Sequence, residues 1–458
     1  KGGYSMFERV FKLSEHKTTV KTEVMAGITT FMTMAYILAV NPSVLGSTGM
    51  DTTAVLLATA LASCLGTLCM AFMANLPFAL SAGMGLNAFM AYTVVAGYGY
   101  SWQVALLAVF IEGLIFIVLS LTNIREAIFN AIPLTLKKGV SVGIGLFIAF
   151  IGLQNSGLCV DSATLVGIIS FPENFHTAGI CALLTLIGLF FTAVFYTRKM
   201  KGAILYGILL TWILGMLCQV TGLYVPTPDA GFYSLFPSWG MTDFSRLGLT
   251  FGQCFNVDFS AVGIVNFIVV IFSFLFVDIF DTLGTLIGVA TKAKMLDKDG
   301  KLPGIKPALL ADSIATSAGA ILGTSTTTTF VESASGVAVG GRTGLTALVT
   351  GILFLVSTLF APIFTAIPSF ATAPALIMVG FLMVGTVTEI NFDLDNLTES
   401  IPAYLAIIAM PLFYSISEGI SLGVISYVLL NVAAGKGKKV APLMYVLAVL
   451  FVLKYIFL

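Results

Sequence analysis

The sequence predicts an all-α polytopic membrane protein of fourteen transmembrane spans, folded as a 7+7 inverted repeat with short strands where spans 3 and 10 are interrupted. Three observations predict it. Of 458 residues, 58% are apolar and only 10% charged, a balance outside that of soluble domains. Apolar runs of the ~20 residues that a spanning helix needs follow one another across short polar turns, and no stretch is left for a large soluble domain. Basic residues fall on alternate loops, as the positive-inside rule requires.

The elements follow in order. Residues 1–5, "KGGYS", read as an expression scar ahead of Met6, and the polar amphipathic stretch through Glu23 does not read as a cleavable signal. Spans are expected at 25–45, 53–73, 79–96, 103–121, 139–156, 178–197 and 203–222. After a polar loop, 226–261, come 262–290, 305–322, 326–341, 343–361, 373–388, 401–415 and 418–434. With the N-terminus cytoplasmic, Lys12, Lys17, Lys21, Arg125, Lys137, Lys138, Arg198, Lys199, Lys201, Lys292, Lys294, Lys298, Lys301, Lys306, Arg342, Lys436, Lys438 and Lys439 all lie inside, and Arg246 alone lies outside. The run 442–458 reads as an extra apolar helix, either a fifteenth span or one lying in the interface.

An odd-numbered unit repeated in tandem inserts in opposite orientations, the inverted repeat of many secondary transporters. The third span of each half is damaged. "LPFALSAGMGLNAFMAYTVV" (76–95) carries a proline and two glycines near its start, and "GTSTTTTFVESASG" (323–336) is threonine-rich, which favours extended backbone, with a half-helix expected from near Val331. Non-helical backbone at membrane depth is tolerated only inside protein or along a cavity, so the pair points to a midplane binding site.

Carboxylates inside spans sharpen the site, because each costs ~3 kcal/mol or more to place at the bilayer centre. Asp278 and Asp281 are three apart on one helix face and are expected to face one cavity. Glu332 is expected in the first turn of the half-helix, held by its free amides. Carboxylates gathered in a dry site cannot all stay ionised, which links them to proton binding. Glu112 and Asp312 stand singly and read as structural hydrogen-bonding groups.

Other chemistries are excluded. Cys64, Cys69, Cys159, Cys181, Cys218 and Cys254 are scattered without metal, redox or disulfide spacing, and His16 and His176 fall outside the apolar runs, so no metal, cofactor or membrane enzyme is expected. A phosphate loop for an ATP-driven pump is missing, a channel would show a repeated pore-lining pattern, and the acidic loop 389–399 lacks calcium-loop spacing.

"GITTFMTMAYILAVNP", "SAGMGLNAF", "FVDIFDTLGTL" and "GTSTTTTFVESASGVAVGGRTGLTALVTG", in this order, resemble the signature segments of the AzgA-like hypoxanthine/guanine/adenine permeases of the nucleobase–cation symporter-2 family. The resemblance runs from Met6 to about Lys439. It implies a core domain (6–125 and 262–361), a gate domain (126–225 and 362–440), an extracellular loop (226–261), proton-coupled purine uptake by elevator-like movement of the core, and a homodimer in the cell membrane. It further implies that Asp278 and Glu332 bind substrate, that Asp281 and Glu332 serve proton coupling, that Asn87, Gly85 and Thr329 complete the pocket, and that Phe330 stacks on the base. Phe78 and Phe89 are both candidates for a second stacking partner. The "TSTTTTF" wording is closer to hypoxanthine/guanine carriers than to adenine ones; an adenine-specific carrier, or one for xanthine or uracil, is the alternative.

The chemistry of these residues agrees. A purine is a flat neutral ring with N–H donors and ring-nitrogen acceptors on its edges, suited to carboxylates, an amide and free backbone amides, with an aromatic face to stack on. No lysine or arginine falls within the candidate pocket segments, which argues against a phosphorylated substrate or a nucleic-acid partner.

Overall fold

The computed structural model describes residues 6–292, 294, 295, 297 and 302–457; residues 1–5 and the expected cytoplasmic Lys298 and Lys301 lie outside the described residues. Among them, eleven helices are long and apolar enough to cross a bilayer. They are α1 (Val20–Gly46), α2 (Thr52–Ala74), α4 (Trp102–Leu121), α6 (Leu134–Asn155), α7 (Phe175–Thr197), α8 (Ala203–Val220), α9 (Ile264–Lys292), α10 (Ile305–Leu322), α12 (Gly344–Thr365), α13 (Ser369–Glu389) and α15 (Ile416–Ala433). Shorter apolar helices are α3 (Met84–Gly97), α14 (Leu397–Leu412) and α16 (Pro442–Phe457); three brief helices are Met6–Phe11, ahead of the first span, α5 (Ile124–Ala131) and α11 (Ser333–Val339). Large side chains such as Phe190, Val220 and Phe381 are 64%, 72% and 64% exposed, a surface that suits lipid and not water.

Local chemistry fixes the helix ends. Asp51 accepts from the amide of Ala54 at the start of α2, and Ser101 does the same for Val104 at the start of α4. Glu23, fully buried on α1, caps a different helix: it accepts from the amides of Arg342, Thr343 and Thr346 and from the Thr346 hydroxyl at 2.6–3.2 Å, satisfying donors at the start of α12. At one end of the bundle the 226–261 loop, which holds three short 3-10 turns, is tied to the α1–α2 turn by Arg246 and Asp51, 2.9 Å apart.

Two breaks organise the interior. Strands β1 (Leu80–Ala82) and β4 (Thr327–Thr329) pair antiparallel in the register Leu80↔Thr329, Ser81↔Thr328 and Ala82↔Thr327. The ladder is extended by Phe330 N to Ala79 O (2.9 Å) and Gly83 N to Thr326 O (3.0 Å). Each strand therefore satisfies the other's backbone at a depth where water cannot. β1 runs into α3, whose second half winds with wider π-type turns, and β4 leads into α11. The segment expected as a span at 326–341 is thus helical only over Ser333–Val339.

The rest of the bundle packs in two groups. Around the strands, α4 and α2 lie on α10, and α1 and α2 lie on α12; elsewhere α6 packs on α13 and α14, and α7 on α8. A hairpin that hydropathy does not reveal, β2 (Cys159–Ser162) with β3 (Leu165–Ile168), joins α6 to α7. α16 lies along α15 and also touches α9, where Phe451 packs on Phe272 and Phe276 with ring centres 5.1 and 5.3 Å apart. Lys454 of α16 is buried, 2.6 Å from Glu418 and 2.9 Å from the Ser417 hydroxyl. An apolar tail helix thus carries a charge inward, where only a partner makes burial tolerable.

Candidate functional site

The hydroxyl-rich β4 segment is bound on all sides by side chains. Thr324 meets Asn41 Nδ2 (3.0 Å) and Thr59 (3.1 Å), Ser325 donates to Asn87, Thr326 donates to Glu112 Oε2 (2.9 Å), and Thr328 meets Thr282 (2.9 Å). Successive hydroxyls thereby moor the strand to α1, α2, α3, α4 and α9. Two are left over: Thr327 Oγ1 and Thr329 Oγ1 are buried without a protein partner. An orphaned buried hydroxyl is costly unless something else completes it, and Thr329 is one of the residues expected in the pocket.

The other expected residues fall as follows. Glu332 is the residue before α11 and makes no cap bond with it; instead its Oε1 accepts from the Tyr36 hydroxyl at 2.6 Å. The first-turn position with the side chain held by the helix's own amides is therefore corrected. α11 has only seven residues, and Tyr36, at the break between the two segments of α1, offers a stronger donor. Asp281, on α9, is partly buried with its carboxylate beside the start of α3: a Cβ placed on Gly83 would be 3.1 Å from its Oδ2 and 2.5 Å from Thr328 Cγ2. Phe330 is 5% exposed. Gly85 lets α3 approach α6 and α15, where a Cβ would stand 3.1 Å from Ile144 and 3.4 Å from Ile416. Asn87 is fully buried between Ser325 and the Ala82 carbonyl. Phe89 stacks edge-on against Phe274, ring centres 5.0 Å apart, and Phe78 is fully buried in the core on the other side of β1.

Asp278 is engaged within the protein by an ion pair and a hydrogen bond. It is 0% exposed, with Oδ1 accepting from Thr282 at 2.6 Å and Oδ2 paired with Arg125 Nη2 at 3.2 Å; the same Nη2 lies 3.0 Å from Asp312 Oδ2. The expectation that no basic residue enters the pocket region is corrected by Arg125, which reads from sequence as a loop residue and folds inward. It brings no anion site, because two carboxylates already face it. Arg125, Tyr36 and Thr282 are the residues that sequence reasoning missed. The signal that could have found Arg125 is the unbalanced count of membrane carboxylates, which calls for a cation from somewhere.

Comparison with known proteins decides the lineage. A family model described as "Permease family" matches residues 21–452. The chain belongs to this permease family. It is 46% identical to the guanine/hypoxanthine permease PbuG of Bacillus subtilis over 98% of this chain and 99% of that one, and 42% identical to the adenine permease AdeP of Escherichia coli over 99% and 97%. The purine-permease resemblance of the motifs is thus the lineage of the whole chain, and the matched relatives are permeases rather than enzymes. The permease shares its fold with the transmembrane domain of a cyanobacterial bicarbonate transporter, BicA, at a TM-score of 0.62, covering 88% of this chain and 97% of that one at 15% identity. It is a mostly helical, polytopic membrane protein.

Proposed function

We propose that this permease imports purine nucleobases, hypoxanthine and guanine foremost, together with protons. The observation that carries the reading is the antiparallel crossing of β1 and β4, with Asp281 beside the start of α3 and Glu332 beside the start of α11. Glu332 accepts an N–H from the base edge, Thr329 Oγ1 completes its hydrogen bonding on the ligand, Phe330 offers the stacking face, and Gly85 and Asn87 shape the α3 side. Asp278 contributes from behind, through Thr282 and Thr328, because both its oxygens are engaged. Asp281 and Glu332 take up the coupling proton.

In this reading fourteen spans form two inverted repeats of seven. The core (6–125 and 262–361) moves as an elevator against the gate (126–225 and 362–440), the 226–261 loop is extracellular and the N-terminus cytoplasmic, in a homodimer of the cell membrane. The packing of helices into two groups and the small contact at Gly85 support a sliding surface. The likeness to AdeP supports adenine as the second substrate to test. Uptake of labelled hypoxanthine into proteoliposomes with an inward proton gradient, competed by unlabelled guanine, adenine, xanthine and uracil, tests the proposal: strong competition by guanine is expected, and no uptake of any base under a gradient would overturn it.

A further inference from the structure

Arg125 is among the largest fully buried side chains, although it stands outside every apolar run, in the first turn of α5. Its guanidinium gathers three elements. The carbon lies 3.9 Å above the centre of the Phe116 ring on α4; Nη2 bridges Asp278 of α9 and Asp312 of α10; Nη1 donates to Ser313 Oγ at 3.3 Å and the Leu309 carbonyl at 3.5 Å, both on α10. A buried arginine is tolerated only when paired and hydrogen-bonded, and here the pairing is unequal. One cation faces two carboxylates, Glu112 stands nearby on α4 with Oε1 unpartnered, and Arg125 Nε is itself unpartnered.

The cluster does not end at the ion pair. Asp278 holds Thr282, and Thr282, having given its one proton to Asp278, can only accept from Thr328 on β4. Thr328 is the central residue of the strand, opposite Ser81, and Thr326, the residue just before the strand, donates to Glu112. The placement of β4 therefore depends on where the guanidinium holds Asp278. A cluster that served only to pin α5 would have no reason to reach the strand.

We infer that Arg125 is a positioning residue for substrate binding: by holding Asp278 and Asp312 it sets, through Thr282 and Thr328, the position of β4 beside the ligand. The inference rests on the nucleobase-transport reading above. It is tested with Arg125→Lys, Arg125→Met and the double variant Arg125→Met/Asp312→Asn, which removes one charge of each sign, all in the full-length protein. Concentration-dependent uptake of labelled hypoxanthine is normalised to the folded fraction measured by size exclusion. The expected result is a KM raised about tenfold in the folded Met variants, the equivalent of one hydrogen bond to a charged group, with a smaller change in Vmax and partial recovery of KM in the Lys variant. Folded variants with the wild-type KM would overturn it, and so would failure of all three to fold, which would leave Arg125 a role in folding alone. A wild-type protein that takes up no purine removes the transport reading and this inference together, whereas a transporting wild type with KM-silent variants removes only the inference.

Discussion

The Tyr36 hydroxyl donates to Glu332 across 2.6 Å, joining the break in α1 to the start of α11. Tyr36 is 1% exposed and Glu332 half-buried, and a phenol bonded to a carboxylate is among the stronger hydrogen bonds a protein makes. It fixes the one carboxylate that the half-helix itself leaves uncapped.

Tyr36→Phe removes that donor while keeping the ring. Glu332 then loses its orienting partner, and affinity for hypoxanthine is expected to fall by ~1.5–3 kcal/mol, the range for a hydrogen bond to a charged group. Equilibrium binding of labelled base to the purified protein checks this. An affinity equal to the wild type's would show that Glu332 needs no orientation from α1.

Phe330 is held by its own amide on Ala79 and is almost fully buried beside Thr329. If its ring is the stacking face, Phe330→Ala is expected to weaken binding by ~1–3 kcal/mol, as base stacking on aromatics does elsewhere. Phe330→Tyr keeps the face and is expected to be mild. Binding normalised to folded protein separates stacking from packing: a loss of folded protein alone, with affinity unchanged in what remains, favours packing.

How much of this was legible follows from what hydropathy measures. Runs such as 103–121 and 203–222 match Trp102–Leu121 and Ala203–Val220 closely, because a spanning helix is a local average of apolarity. Pro77, Gly83 and the threonines mark β1 and β4 for an equally local reason. Side-chain partners are not local. Arg125 joins Asp278, 153 residues away, and Asp312, 187 away, and a local window sees only a charged turn after α4. Tyr36 sits inside a quoted motif, yet nothing in "FMTMAYILAV" says that its hydroxyl reaches residue 332. Lys454 was hidden within an apolar tail because its partner Glu418 lies on another helix. The hairpin at 159–168 was missed because a four-residue strand has too few alternating positions to stand out from loop.

Gly83 is small because of its neighbours. Its backbone is ordinary, with φ −66°, yet an added Cβ would stand 2.5 Å from Thr328 Cγ2. Gly83→Ala must therefore push β1 from β4, and a cost of ~1–3 kcal/mol is expected, the range for overpacking a filled interior. Thermal unfolding in detergent reads the cost. Gly99→Ala, at a turn with room around it but a positive φ of 72°, is a useful contrast, since its cost comes from backbone strain and leaves the strands untouched.

Asp281 is the carboxylate whose placement best suits a proton carrier. It is only partly buried, it stands outside the Arg125 pairing, and it adjoins Gly83, where β1 turns into α3 and the positive end of that helix favours a negative charge. Neutralising it by a proton would change the charge of the loaded core just where the core must cross a low-dielectric region. Asp281→Asn is permanently neutral and leaves nothing to protonate. Binding of hypoxanthine is expected to remain measurable in this variant, while accumulation driven by an inward proton gradient is lost and only exchange or downhill flux survives. Glu332→Gln is expected to act differently, lowering binding itself by about tenfold, because an amide accepts a base N–H less strongly than a carboxylate and Tyr36 loses its charged acceptor. The two variants are compared in proteoliposomes with and without a proton ionophore. If Asp281→Asn still concentrated hypoxanthine against its gradient and the ionophore still abolished that accumulation, the coupling proton would have to reside elsewhere, with Glu332 the next carboxylate to examine.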